Sequence, residues 1–145
     1  MSQTFAFSRI GYVYVPTTRI DESIAWYTEN LDFKLMNKFQ YRGSFIAVLH
    51  HPHQHSIAML LIETGDKQPL EIMRNGKPFP IMAMNCPDIE YTHQLLTDKG
   101  LVVEDLQTLG AGGAKYFYFR DNQGNLLEAA WSKWDPQDEM KEDFV

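Results

Sequence analysis

The chain is expected to be an α+β protein: two tandem β-α-β-β-β modules forming a curved mixed sheet around a cavity, within one domain. Three observations predict this. Strand-like and helix-like patterns follow the order β-α-β-β-β and then begin again. Shifting the sequence by 68 residues sets Glu22 on Glu90, and a shift of 65 sets Leu61-Ile62-Glu63 on Leu126-Leu127-Glu128. The length, 145 residues, suits one domain, and each repeat is too small to bury its own face alone.

In order, Ile10 to Val15 (IGYVYV) alternates and is β-branched and aromatic, so it reads as a strand ended by Pro16. Thr18 with Asp21 makes a capping-box-like start, and Ile20, Ile24, Tyr27 and Leu31 recur at helical spacing. Strand patterns follow at Phe33 to Phe39, Ser44 to Leu49 and Ile57 to Glu63, the last two flanking a hairpin. Module 1 thus spans about 8–65. A turn-rich, charged linker covers about 66–78, within TGDKQPLEIMRNGKP.

Module 2 spans about 79–133. It opens on a strand at Pro80 to Met84; Asp88 caps a helix with Ile89, His93 and Leu96 inward, and Gly100 stops it. Leu101 to Leu106, Lys115 to Phe119 and Leu126 to Trp131 supply three strands, and the Gly-rich run at Leu109 to Gly113 is a loop between strands. Residues 134–145 form an acidic, solvating tail.

The composition excludes several partners. A net charge of -6 with 13 dispersed Lys and Arg argues against nucleic acid. No apolar stretch approaches the roughly 20 residues of a membrane span, and the N-terminus lacks a secretion-signal layout, so a cytoplasmic location is expected. The single cysteine, Cys86, reads as an inert packed thiol.

Two stretches resemble a known family. YVPTTRIDESIAWYTENLDFKL is similar to the opening of the vicinal oxygen chelate superfamily, the glyoxalase, bleomycin-resistance and ring-cleaving dioxygenase group, with Trp26-Tyr27 and the corner Leu31-Asp32-Phe33, where Asp32 replaces the usual Gly. YFYFRDNQGNLLEAAW resembles the closing hairpin, with the turn Asp121 to Asn125 and the pair Leu127-Glu128.

In metal-using members of that superfamily, two His or Gln and two Glu from the first and last strands of each module hold one divalent ion. The resemblance carries the last-strand positions onto Glu63 and Glu128, the candidates for catalysis and for metal. The first-strand positions fall on Tyr12 and on Phe79 or Pro80, which offer no imidazole. Two carboxylates alone suit at most a weakly bound divalent metal such as magnesium, calcium or manganese, and no cofactor is otherwise implied. Without metal, two converging acids would raise each other's pKa and could transfer a proton.

Alternation also suggests a ligand cavity: Tyr12 and Tyr14 share one face, Tyr116 and Tyr118 another, and Met59, Met82, Met84 and Trp131 lie on neighbouring strands. The plainer role of such side chains is core filling, but four tyrosine hydroxyls want partners.

Three functions follow from the resemblance. The first is a bleomycin-resistance-like protein that binds a small aromatic or planar molecule without a tightly held transition metal, as a homodimer with the cleft at its interface. The second is a divalent-metal-dependent lyase, isomerase, transferase or dioxygenase using Glu63 and Glu128. The third is a non-catalytic regulatory or structural dimer. The stretch LHHPHQHS, with four of the five histidines, is a hairpin tip; His55 precedes Glu63 by eight residues, about 26 Å of strand at roughly 3.3 Å per residue, too far to share an ion.

Overall fold

Apolar alternation and helical periodicity each find their element in the computed structural model, which describes residues 4–135. Module 1 contains β1 (Tyr12–Thr17), α1 (Ile20–Asn30), β2 (Lys34–Tyr41), β3 (Ser44–His50) and β4 (Ala58–Glu63). A hairpin of β5 (Ile72–Arg74) and β6 (Lys77–Phe79) follows. Module 2 contains β7 (Ala83–Asn85), α2 (Ile89–Asp98), β8 (Gln107–Leu109), β9 (Ala114–Arg120) and β10 (Leu126–Ser132).

The two modules share one topology, in strand order β1-β4-β3-β2 and β7-β10-β9-β8. In each, the first strand pairs parallel with the last and the remaining pairs are antiparallel. The paired-module expectation is met, with the strands divided between two four-stranded sheets.

Local differences have local causes. β1 runs through Pro16 because β1 is an edge strand, where the missing N–H breaks no ladder bond. Thr18 does not cap α1: its N–H and hydroxyl both donate to Gln123 Oε1 (2.8 and 2.9 Å), and the cap position, Arg19, makes no side-chain capping bond. Asp88 does cap α2, accepting from Tyr91 N–H.

The segment Leu101 to Leu106 keeps only a bridge from Val103 to Phe119, and β8 forms instead just after it, at Gln107–Leu109, ending on the first residue of the Gly-rich run. The linker holds a hairpin because Asn75 and Gly76 adopt φ of 52° and 80°, a left-handed pair that turns strands back tightly. At the corner after α1, Asp32 takes φ 60°, a conformation that Asp tolerates better than most residues. The expected acidic tail lies, from residue 136, outside the described residues.

Each helix packs on one face of its own sheet, and those two faces contribute to one continuous core. It includes Val15, Tyr27, Leu49, Met59 and Leu61 from module 1 and Ile89, Leu96, Phe117 and Leu127 from module 2. The helices meet at their C-terminal ends, where Lys99 Nζ donates to Glu29 O (2.6 Å).

A buried polar knot locks the modules together. Tyr27 Oη donates to Asp121 Oδ2 (2.5 Å), which also accepts from Asn125 Nδ2 (2.8 Å), while Oδ1 accepts from the N–H groups of Gln123 and Asn125. Burial, with the Asp121 charge beside it, pushes the Tyr27 phenol well above its usual range, so its proton stays to bridge the modules.

The histidine tip is partly structural. The His51 ring stacks on Phe33 (3.8 Å between centroids, 26°) and its Nε2 meets Leu31 O at 2.7 Å. Burial lowers its pKa, so the ring is held neutral against the module 1 core.

Candidate functional site

Strand alternation divides each sheet into a helix-bearing face and an open one. In β9, Phe117 and Phe119 are buried toward α2, which turns Tyr116 and Tyr118 to the other side. In β10, Leu127 and Ala129 are buried, so Glu128 and Ala130 join those tyrosines. The register confirms it: Glu128 sits between Tyr118 of β9 and Ala83 of β7, and Ala130 between Tyr116 and Asn85.

The tyrosine rings lie 5.2 Å apart at 39°, and Phe79 from the β5-β6 hairpin stands edge-on to Tyr118 at 6.1 Å. The Arg74 guanidinium covers the Phe79 ring at 5.6 Å. Burial is the cause that raises the Glu128 carboxyl above its ordinary range. Burial, followed by the Glu128 charge, raises the Tyr118 phenol. An acid and a phenol both shifted upward share one partly dry surface.

In module 1, Val13 and Val15 pair with Met59 and Leu61 on the helix side, leaving Tyr12 and Tyr14 on the open face, each 60% exposed. Phe39 and Tyr41 of β2, in register with Ile46 and Ser44 of β3, join them. The open faces of both modules are therefore aromatic.

Several expected site residues lie elsewhere. Met59 is buried in the core, and Met82 and Met84 pack against that core from the helix side of β7. Trp131 shares the helix side of β10, where it lines a cavity of about 230 Å³ with Asp88, Ile89 and Lys115 at the start of α2. These four serve packing, because each occupies the strand parity of a core residue.

Glu63 is the largest correction. It aligns with Thr17 of β1, a buried residue bonded to Ser23 of α1, and its Oε1 accepts from Phe45 N–H at 3.1 Å. It therefore faces the helix side while Glu128 faces the open side. Glu128 is in register with Ala83, six residues ahead of the start of α2, and Tyr14, six residues ahead of the start of α1, is in register with Leu60, so the residue equivalent to Glu128 is Leu60. The shift of 65 is therefore out of step by three residues, and in a strand an odd displacement reverses the face.

The two carboxylates therefore do not fit a shared divalent ion. Among the described residues no group of three or more His, Cys, Asp and Glu gathers to hold a metal. Where the resemblance asks for nitrogen ligands, Tyr12 and Phe79 put aromatic rings.

Phe39, Tyr41, Phe79 and Arg74 are site candidates beyond the expected set. The first two lie on a strand pattern whose partner face sequence alone leaves open. Arg74 sits in the linker and Phe79 just past its end, where Asn75-Gly76 between IMR and KPF is the hairpin signal that marks them.

Among solved structures, the chain is similar to a glyoxylase/bleomycin resistance protein/dioxygenase domain from Frankia sp. EAN1pec, at 21% identity over 90% of this chain and 96% of that one, with a TM-score of 0.71. It is similar to TnmS3, an antibiotic binding protein from Streptomyces sp. CB03234, at 15% identity over 90% and 100%, TM-score 0.71. It also matches the fosfomycin resistance protein FosX from Listeria monocytogenes, at 10% identity over 88% and 96%, TM-score 0.68. Identities this low speak to fold alone. No curated protein sequence matches the chain. The family model of the Glyoxalase/Bleomycin resistance protein/Dioxygenase superfamily matches residues 9–129, most of the chain, and the protein belongs to that superfamily.

Proposed function

We propose that the protein binds a small planar or aromatic molecule on the open face of module 2, and that a second copy of the chain completes the cleft with the open face of its module 1. The observation that carries this reading is the placement of Tyr116 and Tyr118 beside Glu128 on one face, with Tyr12 and Tyr14 exposed on the other module's equivalent face. Aromatic rings left in water forfeit the largest hydrophobic gain of any side chain, and contiguous patches of them mark surfaces that become covered.

The N-terminal segment ahead of β1 extends the exposed apolar surface, with Phe5, Phe7 and Ile10 74%, 93% and 74% exposed. That extension favours a macromolecular cover, and an identical chain supplies one with matching aromatic character. The likeness to a protein described as antibiotic binding and to one described as a fosfomycin resistance protein supports a small-molecule ligand. The metal-dependent reading has no comparable support, since its two carboxylates face opposite sides.

A thermal-shift screen of planar aromatic compounds on the full chain, run beside sedimentation velocity, tests both parts. Native-state ligands raise the melting temperature with concentration. The expected result is such a series together with a mass about twice 16.8 kDa. A monomer that no compound stabilises contradicts the proposal.

A further inference from the structure

Four acids are held by cations: Glu22 by Arg19, Asp21 by Lys38, Glu90 by Lys115, and Glu71 by Arg120, which shares the strand parity of Tyr116 and Tyr118. Glu128 is partly buried, yet its carboxylate has no ion pair and no hydrogen-bond donor among the described residues. Arg120, the cation on that strand face, is committed to Glu71 and to the Gly124 carbonyl, which leaves Glu128 without a counter-charge.

The surroundings of Glu128 leave a place for a guest. Its cross-strand neighbour Ala83 and its same-face neighbour Ala130 present only methyl groups, while Tyr116 and Tyr118 stand along the other side. Arg74 is engaged with the Phe79 ring and makes no ion pair with Glu128.

Two independent features select the same sign of charge. A carboxylate drawn from water without a counter-charge is costly until a cation arrives. The face of a tyrosine ring is electronegative, so it attracts cations and repels anions. The chain's net charge of -6 adds a field in the same sense.

Resting on the cleft reading above, we infer that this site takes an organic cation: a flat molecule bearing a protonated amine, its ammonium against the Glu128 carboxylate and its planar body on Tyr116 and Tyr118. Arg74 and Phe79 close the Tyr118 end, which directs the ammonium toward the gap over Ala83 and Ala130. The raised carboxyl of Glu128 agrees, since burial without a counter-charge shifts an acid in that direction.

Calorimetric titration of the full chain with 1-naphthylmethylamine, 1-naphthalenemethanol and 1-naphthoic acid separates charge from shape, because the three share one ring system. The amine is expected to bind about 10- to 100-fold more tightly than the alcohol, with the acid weakest. In Glu128→Gln the amine's advantage over the alcohol disappears. Sodium chloride weakens the amine selectively in the wild-type chain, a readout that needs no variant. Equal affinities, a preference for the acid, or an amine advantage that survives Glu128→Gln overturns the charge selectivity while leaving a cleft. Failure of all three probes to bind removes the cleft reading beneath it.

Discussion

Glu63 and Glu128 lie on the last strands of two modules with the same topology, and they face opposite sides. Glu63 turns toward α1 and is bound by a backbone N–H; Glu128 turns away from α2 and stands unpaired beside two tyrosines. The difference teaches that in a repeat built from strands, the chemistry of a position follows its parity and not its place in an alignment. The wider contrast is between the helix-bearing faces, which hold the chain together, and the open faces, where the proposed cleft lies.

The strongest way to break that contrast is to strike the polar knot behind the sheets. Asp121→Ala strands the Tyr27 hydroxyl, the Asn125 side-chain amide and two backbone N–H groups. It should cost about 3–5 kcal/mol of stability, read from urea unfolding. A loss below about 1 kcal/mol would show that the modules do not depend on this knot.

The next comparison sets one face against the other. Met59→Ala, on the helix side, should cost about 2–5 kcal/mol through the cavity it opens. Tyr14→Ser, on the open face, should cost the isolated fold less than about 1 kcal/mol. Similar unfolding losses for the two would erase the division between faces.

If the open faces meet across two copies, charge placed there should separate them. The Tyr12→Asp, Tyr14→Asp double variant is expected to sediment as a folded monomer under conditions where the wild-type chain is a dimer. A dimer that persists would move the interface elsewhere.

The smallest effect expected is in pH dependence. Because burial raises the Glu128 carboxyl, the folded chain keeps that proton at pH values where the unfolded chain has lost it. Its contribution is therefore most favourable below the ordinary carboxyl range and is lost as pH rises through the folded pKa. Glu128→Gln should gain on the wild-type chain in melting temperature as pH rises from about 4 to 7, and not below. A constant difference would mean that Glu128 titrates normally.

Much of the fold was legible because periodicity is local. The strand-helix order, the β3-β4 hairpin around the histidines and the Asp88 cap all follow from spacing within a few residues. Thr18 misleads because its cap atoms are captured by Gln123, a contact across 105 residues that no local pattern shows. β8 and the bridge at Val103 depend on β9 for every bond, so their own residues carry little signal.

The strand faces of the candidate site were legible in part for the same reason. Tyr12, Tyr14, Tyr116, Tyr118 and Glu128 sit on strands whose alternation is plain. Met59, Met82, Met84, Trp131 and Glu63 lie where the face depends on register with a neighbouring strand. Nothing in a sequence of apolar residues says which side of a sheet the helix will cover.

The central claim is that the two last-strand glutamates lie on opposite faces. It is tested most directly by titrating Glu63→Gln and Glu128→Gln side by side with 1-naphthylmethylamine. The account predicts that Glu63→Gln stays within about twofold of the wild-type dissociation constant while Glu128→Gln weakens it by about tenfold or more. Equal losses in the two variants would place both carboxylates at one site and contradict it.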